Sequence, residues 1–242
     1  MDDQAPEAIR RALPLLTDST EPLDTSHGYL DLLDAPDPPS GAIQRLWESG
    51  IGSVVYDRVQ SAARRWGRAW RVPMSTLRLR DGDVALDVAC GPGEVTAGLG
   101  RAVGATGLAL GVDVSVPMLT RAVRTHAGPN VGFLRADALR LPLRDDTVNA
   151  ITCVAMLQLV PDPAGVLGQL ARVLAPGGRL AIMVPTVLGP AADNGNRYLK
   201  PVSGLRFFTE QDIGDILGQH GITETTMKQA GPVQWTVARK GS

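Results

Sequence analysis

Hydrophobic and polar positions along most of this chain follow two alternating periods. Short apolar runs with the length and composition of buried strands occupy 84–89, 108–114, 131–134, 148–154 and 179–184. Stretches of helical period lie between them, at about 94–103, 116–126 and 163–174. Strands that alternate with helices of this length predict right-handed βαβ units and a parallel sheet.

The two ends of the chain depart from this alternation. A helix is predicted at 209–219, and two segments of strand period follow it at 222–228 and 233–240. Their short connection permits only antiparallel pairing. At the other end, a Pro- and Asp-rich arm contains a short helical pattern near 7–16, and a longer helical stripe covers 41–70.

These elements predict an α/β fold of the doubly wound, Rossmann-like kind. We expect a mostly parallel seven-stranded sheet with a C-terminal antiparallel hairpin and N-terminal accessory helices. The chain then divides into an arm with accessory helices at 1–72, which forms part of a substrate cover, and a ligand-binding domain at 73–242. The long connection at 185–208 is of the kind that forms a lid.

Composition narrows the classes of function. The chain has 24 basic and 25 acidic residues and a formal net charge of -1, which supplies no global attraction to nucleic acid or to an anionic membrane. Cys90 and Cys153 form neither a CxxC pair nor a metal-ligand spacing, so no metal is expected and a reduced, cytoplasmic setting is predicted. No apolar run reaches the roughly 18 residues of a membrane span, and the N-terminus lacks a secretory signal.

A glycine loop follows the first predicted strand. Residues 84–96 read VALDVACGPGEVT, so a buried strand enters Gly91 and Gly93 and a helix begins at once. Glycines let the backbone turn sharply and approach a ligand, which in open α/β sheets binds beyond the carboxyl ends of the strands. Thr96 stands where a dinucleotide fingerprint has its third glycine, and no lysine follows as a P-loop requires. Both observations disfavour NAD, FAD and ATP.

Three acids lie at successive predicted strand ends. Asp87 precedes Gly91 by four residues and suits a ligand with a cationic ammonium group. Asp113 ends the second strand, twenty residues after Gly93, where a carboxylate can accept bonds from ribose hydroxyls. Asp137 follows the third strand at the same edge. A ligand made of a cationic amino acid, a ribose and an adenine would need three such groups.

Together these motifs resemble those of the class I S-adenosylmethionine-dependent methyltransferases, particularly the small-molecule group that includes the ubiquinone- and menaquinone-biosynthesis enzymes. The resemblance covers about 84–178 well and 208–237 more loosely. It implies S-adenosyl-L-methionine as the cofactor. The cofactor-binding residues that it implies are Asp87, Ala89, Gly91, Gly93, Asp113, Val114, Met118, Asp137, Ala138, Val154 and Gln158.

Two residues depart from the pattern of this family. Ala89 stands where the family usually has glycine, and a positive φ there would cost alanine roughly 1 kcal/mol, so a slightly strained loop is expected. Many members carry histidine at the position of Gln158, and glutamine cannot serve as a general base.

The resemblance implies an enzyme that transfers a methyl group to a small-molecule acceptor, such as a phenol- or quinol-like compound, a lipid or a sugar hydroxyl. No catalytic base is well placed, which favours an acidic phenol or a base hidden in the arm. The candidates for that base are His27, Tyr29 and Tyr56. The candidates for acceptor contacts are Tyr56, Arg197, Tyr198 and Arg206.

Three other functions stay open at this point. A non-catalytic regulatory protein could retain the donor site, and Ala89 and the missing histidine are compatible with that role. An NAD-dependent oxidoreductase is disfavoured by Thr96 and Asp87, and a nucleic-acid methyltransferase by the neutral charge. A homodimer is left open.

Overall fold

A computed structural model describes residues 5–17, 23–33, 72–185, 208, 210–231 and 233–241. Within these residues the helices are α1 Glu7–Ala12, α2 Met74–Leu77, α3 Glu94–Val103, α4 Val116–His126, α5 Pro163–Val173 and α6 Glu210–Gln219. The strands are β1 Leu30–Asp31, β2 Val84–Val88, β3 Leu108–Asp113, β4 Val131–Arg135, β5 Val148–Val154, β6 Leu174–Pro185, β7 Glu224–Ala230 and β8 Val233–Arg239. Single turns of 3₁₀ helix cover Leu13–Leu15 and Ala138–Arg140.

The strands form one sheet in the order β1-β4-β3-β2-β5-β6-β8-β7. From β1 to β6 all neighbours are parallel, and β8 and β7 join as an antiparallel hairpin. Chain order runs outward in opposite directions from the boundary between β2 and β5. A crevice opens at the carboxyl ends of the strands at such a boundary, and ligands bind there.

This topology confirms the predicted doubly wound fold and its C-terminal hairpin. The seven predicted strands all form, and an eighth, β1, adds to the outer edge of β4 with Leu30 opposite Leu134. The sequence does not predict β1, because a two-residue strand is too short to show a period. The helix predicted near 7–16 is α1, whereas the stripe at 41–70 lies outside the described residues.

The two faces of the sheet pack against different helices. One face presents Leu86, Leu110 and Ile182, among others, to α1, α5 and α6. The other presents residues that include Ala85 and Phe133 to α2, α3 and α4. Gly100 of α3 allows a close approach on this second face, since a Cβ there would overlap the side chain of Val131. The strands therefore alternate between two cores, as a sheet covered on both faces requires.

The beginning of the chain is attached to the sheet by packing and by one arginine. Ala8 and Ile9 of α1 pack over Gly132 in β4. Arg11 donates to the carbonyl oxygens of Thr106 at 2.7 Å and Gly107 at 2.6 Å. These carbonyls precede β3, so α1 is fixed at the amino edge, opposite the crevice.

Two further observations concern predictions from composition. Cys90 and Cys153 are both buried free thiols, as expected of small packing residues. Of the helices that the structure describes, none is at once long and apolar enough to cross a membrane.

Candidate functional site

The loop from β2 to α3 makes a tight turn at the carboxyl edge of the sheet. Ala89, Gly91 and Gly93 all have positive φ, at 58°, 52° and 83°. The N–H of Gly93 donates to the Cys90 carbonyl at 3.0 Å, and α3 begins with the N–H of Ala97 donating to the Gly93 carbonyl. The positive φ that the sequence predicts at Ala89 is therefore confirmed. A turn of this kind brings backbone N–H groups and a helix N-terminus to the mouth of the crevice.

Asp113 connects this loop to the end of β3. Its Oδ2 accepts from the Gly91 N–H at 2.9 Å, and its Oδ1 accepts from the Ser115 N–H at 2.9 Å. The side chain is half-buried, and burial is the main cause that raises the pKa of this carboxyl above its usual value. Each oxygen keeps a free lone pair after one such bond. Asp113 therefore stands, with acceptor capacity left, where the sequence predicts a ribose contact.

Asp87 occupies a different position from the one predicted. Asp87 is 2% exposed, and its two carboxylate oxygens accept hydrogen bonds from the hydroxyls of Thr96 and Thr152, each at 2.7 Å. The prediction that Asp87 itself contacts the ligand must be corrected: the carboxylate lies in the floor of the loop, where it joins β2 to α3 and β5. Burial raises its pKa to about 6. At neutral pH the group still carries most of its negative charge.

The predicted adenine contacts gather at the ends of β3 and β4. Asp137 caps the 3₁₀ turn that follows β4, with Oδ1 accepting from the Leu139 N–H at 2.9 Å. Val114 and Ala138 are half-buried, and Met118 is 9% exposed in the first turn of α4. The ends of adjacent parallel strands share one edge, so these residues lie beside Asp113. The structure brings the set together, and its binding role stays a prediction.

Two buried polar atoms at this edge have no hydrogen-bond partner within the part of the chain that the structure describes. They are Ser115 Oγ, directly after β3, and Gln158 Oε1, in the turn after β5 beyond Val154. An unsatisfied buried polar atom costs about 1–3 kcal/mol, so such atoms are rare unless a ligand completes them. Together with the Asp113 carboxylate, they fit a polar ligand that carries hydroxyl and amino groups, as S-adenosylmethionine does.

The structure does not support His27 or Tyr29 as a catalytic base. Tyr29 directly precedes β1 and is buried, and the His27 ring stacks on it with centroids 5.7 Å apart. Strand β1 is three positions from β2, which is about 14 Å at the usual spacing of strands. Burial also raises the pKa of the Tyr29 hydroxyl, so less of it is ionised to the phenolate that could accept a proton. Tyr29 is therefore a packing residue at the outer edge of the sheet, and His27 is an exposed residue beside it.

The remaining candidates of the sequence fall on residues that the structure does not describe. Tyr56, Arg197, Tyr198 and Arg206 lie outside the described residues, as does the predicted lid apart from its ends at Pro185 and Phe208. Sequence reasoning missed Thr96 and Thr152 as partners of Asp87. Thr96 carried a signal, since it replaces a glycine in the loop pattern, whereas a threonine inside β5 carries none.

Fold and site together define a class, that of doubly wound α/β domains with a glycine loop after β2 and acidic residues at the ends of β3 and β4. Residues 85–178 match the family described as "Methyltransferase domain". Residues 85–178 are thus similar to a methyltransferase domain, and S-adenosylmethionine is the cofactor that this similarity supports.

Individual relatives agree with this assignment. The chain is 36% identical over 134 residues to a demethylmenaquinone methyltransferase of Staphylococcus aureus, covering 54% of this chain and 56% of that protein. A methyltransferase of Aquifex aeolicus described as S-adenosylmethionine-dependent superposes with a TM-score of 0.56 at 26% identity, covering 71% of this chain and 90% of that one. A Haloferax volcanii complex of the Trm112 activator with a methyltransferase gives a TM-score of 0.60 at 19% identity, covering 76% and 95%, which shows the fold alone. The chain spans about half the length of the curated relatives it matches.

Proposed function

We propose that this protein is an enzyme that transfers the methyl group of S-adenosylmethionine to a small-molecule acceptor. The observation that carries the proposal is the Asp113 carboxylate, which accepts from the Gly91 N–H and so places a ribose-binding acid against the glycine loop. A dinucleotide-dependent oxidoreductase is disfavoured, because Thr96 replaces the third glycine and donates to Asp87 within the loop.

Methyl transfer from a sulfonium depends mainly on how the protein orients the two reactants. The cofactor supplies a methyl group on a sulfonium, which is already a good leaving group. The residues of this chain that would hold the nucleoside lie along the ends of β4, β3 and β2, and the bound cofactor would supply the methyl group at the crevice. Alignment of two reactants in this way can supply about 7–11 kcal/mol of the barrier.

The acceptor that we propose is phenol- or quinol-like. The three histidines of the chain are His27, His126 and His220, and all lie in the described residues. His27 lies at the outer edge of the sheet. His126 is the last residue of α4 and His220 follows α6, and both helices run back from the crevice. Without a histidine base, an acceptor that ionises readily is favoured. The similarity to a demethylmenaquinone methyltransferase supports the same class.

The acceptor cover belongs to this proposal as well. We assign it to the connection 185–208 and to the arm 1–72, in which α1 and β1 attach the segment to the sheet. Strand β6 ends at Pro185 on the carboxyl edge, so the connection begins at the crevice. Replacement of 186–205 by a short linker is expected to abolish turnover and to leave donor binding largely intact.

Calorimetry tests the donor site first. The wild-type protein is expected to bind S-adenosylhomocysteine and to show no binding of NADH. Asp113→Ala should weaken S-adenosylhomocysteine by about 100-fold, since a charge-assisted pair of bonds to a ribose is worth about 1.5–3 kcal/mol. Asp145→Ala is the matched control, because that exposed carboxylate pairs with Arg172 far from the loop. Unchanged affinity in Asp113→Ala would contradict the proposal.

Transfer itself needs a separate measurement. The protein and S-adenosylmethionine with a labelled methyl group are incubated with simple phenols and hydroquinones, and label in the organic phase is counted. Binding of the donor without transfer to any acceptor, including those of a lysate, would favour the non-catalytic regulatory role instead.

A further inference from the structure

The side chain of Gln158 has one satisfied end and one unsatisfied end. Its Nε2 donates to the Ala155 carbonyl at 2.6 Å. A carbonyl can only accept, so this bond fixes which end of the amide is nitrogen. The other end, Oε1, is buried and has no hydrogen-bond partner among the described residues, in a residue only 7% exposed. The fold thus holds an acceptor in a fixed orientation, and the described part of the chain supplies no donor to it.

The position of this amide relates it to the glycine loop. Strands β2 and β5 are neighbours, and Val88 pairs with Cys153, so the two chains leave the sheet side by side about 4.8 Å apart. Just beyond the strands, Ala89 and Ala155 both adopt positive φ, at 58° and 55°. Non-glycine residues in this conformation cluster at ligand sites. Gln158 is tied to the second of these turns, and therefore lies across from the first.

The amino acid of the cofactor requires hydrogen-bond acceptors at this place. Base and ribose are assigned to the ends of β4 and β3, so the amino acid extends toward β2 and β5. Its ammonium group carries three N–H donors. Asp87 does not take them, because its oxygens accept from Thr96 and Thr152 and the residue is 2% exposed. The charge of Asp87 still acts on a nearby cation through the low-dielectric floor of the loop.

We propose that Gln158 Oε1 accepts a hydrogen bond from the ammonium group of the cofactor's amino acid. Gln158 then accepts the hydrogen bond from the ammonium group, and the buried charge of Asp87 attracts that group without contacting it. This assignment rests on the proposed function, since it requires that the site bind the sulfonium nucleoside.

Calorimetry with two ligands and two variants tests the assignment. The ligands are S-adenosylhomocysteine and its deaminated analogue, in which a hydrogen replaces the amino group. Gln158→Met keeps the length of the side chain and removes the acceptor. We expect about 10- to 100-fold weaker binding of S-adenosylhomocysteine, the range for a bond to a charged group, and less than about 2-fold change for the analogue. Gln219→Met, at an exposed position near the end of α6, should change neither affinity.

Folding is checked by thermal unfolding without ligand. Gln158→Met should unfold within a few degrees of the wild-type temperature, because removal of an unsatisfied buried oxygen offsets the loss of the Nε2 bond to the Ala155 carbonyl. Equally weaker binding of both ligands would overturn the assignment. Unchanged binding of both would overturn it as well, and would favour the methyl acceptor as the partner of Oε1. If the wild-type protein binds neither ligand, the proposed function fails and this assignment falls with it.

Discussion

Ala89 and Ala155 adopt a conformation that glycine adopts at no steric cost. In the left-handed region the alanine Cβ approaches the following carbonyl oxygen, which costs roughly 1–2 kcal/mol. The strain persists at two strand ends that face each other across the boundary between β2 and β5. The flanking strands are buried on both faces and fix the backbone on either side, so the turns cannot relax.

Relief of this strain is measurable. Ala89→Gly should raise the free energy of unfolding by about 0.5–1 kcal/mol, since the relief of steric strain exceeds the added entropy of the unfolded chain. Urea denaturation followed by circular dichroism provides the measurement. Ala85→Gly, in the same strand but buried with ordinary dihedral angles, should lower the free energy by about 1 kcal/mol. Destabilisation by both substitutions would show that Ala89 is unstrained.

Asp87 makes stability depend on pH. Burial raises its pKa from 3.8 to about 6, so the folded protein holds the proton more tightly than the unfolded chain does. Stability from this group is therefore greatest below pH 3.8 and falls as the pH rises from about 4 to about 6. A shift of this size corresponds to on the order of 3 kcal/mol.

Asp87→Asn isolates this effect. The amide can accept from one threonine hydroxyl and donate to the other, so both contacts are kept while the charge is lost. Urea denaturation of both proteins between pH 4 and pH 7 should give a flatter profile for the variant and equal or higher stability at pH 7. Parallel profiles would assign the pH dependence to other groups.

At the scale of elements, one buried ion pair joins the N-terminal arm to the donor site. Arg135 at the end of β4 lies 3.0 Å from the Asp31 carboxylate of β1, with side chains 9% and 18% exposed. The same guanidinium donates through Nε to the Val114 carbonyl at 3.1 Å. Strand β1 therefore reaches, through one arginine, the residue that follows Asp113.

Loss of this pair should detach the arm. Asp31→Ala removes the carboxylate that pairs with the buried Arg135 guanidinium, and should cost about 3 kcal/mol. Urea denaturation gives the loss, and limited proteolysis should show earlier cleavage within the first 33 residues. Asp145→Ala removes an exposed partner of Arg172, 70% accessible, and should cost less than about 1 kcal/mol. Equal losses in the two variants would show that burial of the Asp31 pair has no energetic weight.

At the scale of the molecule, donor binding and folding are coupled. The site is built from the ends of four strands, and an unfolded chain has no such site, so a ligand that binds it stabilises the whole fold. S-adenosylhomocysteine at 100 times its dissociation constant should add about 2.7 kcal/mol, seen as a higher unfolding temperature. NADH at the same concentration serves as the control. A higher unfolding temperature with NADH but not with S-adenosylhomocysteine would contradict S-adenosylmethionine as the ligand.

Sequence periodicity was sufficient for most of the architecture. Seven strands, their connecting helices and the hairpin follow from local patterns, because strands buried on both faces and amphipathic helices must display their period whatever surrounds them. The glycine loop and the acids at 113 and 137 were located for a related reason, since a turn of this kind and the strand ends beside it are set by nearby residues. Strand β1 was not predicted from the sequence, because it forms only through its pairing with β4.

The sequence by itself determined the fold class, the edge of the sheet that carries the site, and Asp113 as an acid at that edge. Only the tertiary structure decided what each polar group does there. The hydroxyls that donate to the Asp87 carboxylate come from positions 96 and 152, nine and 65 residues away in the chain. The arm that contains His27 and Tyr29 packs on the outer side of β4. Burial and hydrogen-bond partners are set by elements distant in the chain, and local spacing contains no information about them.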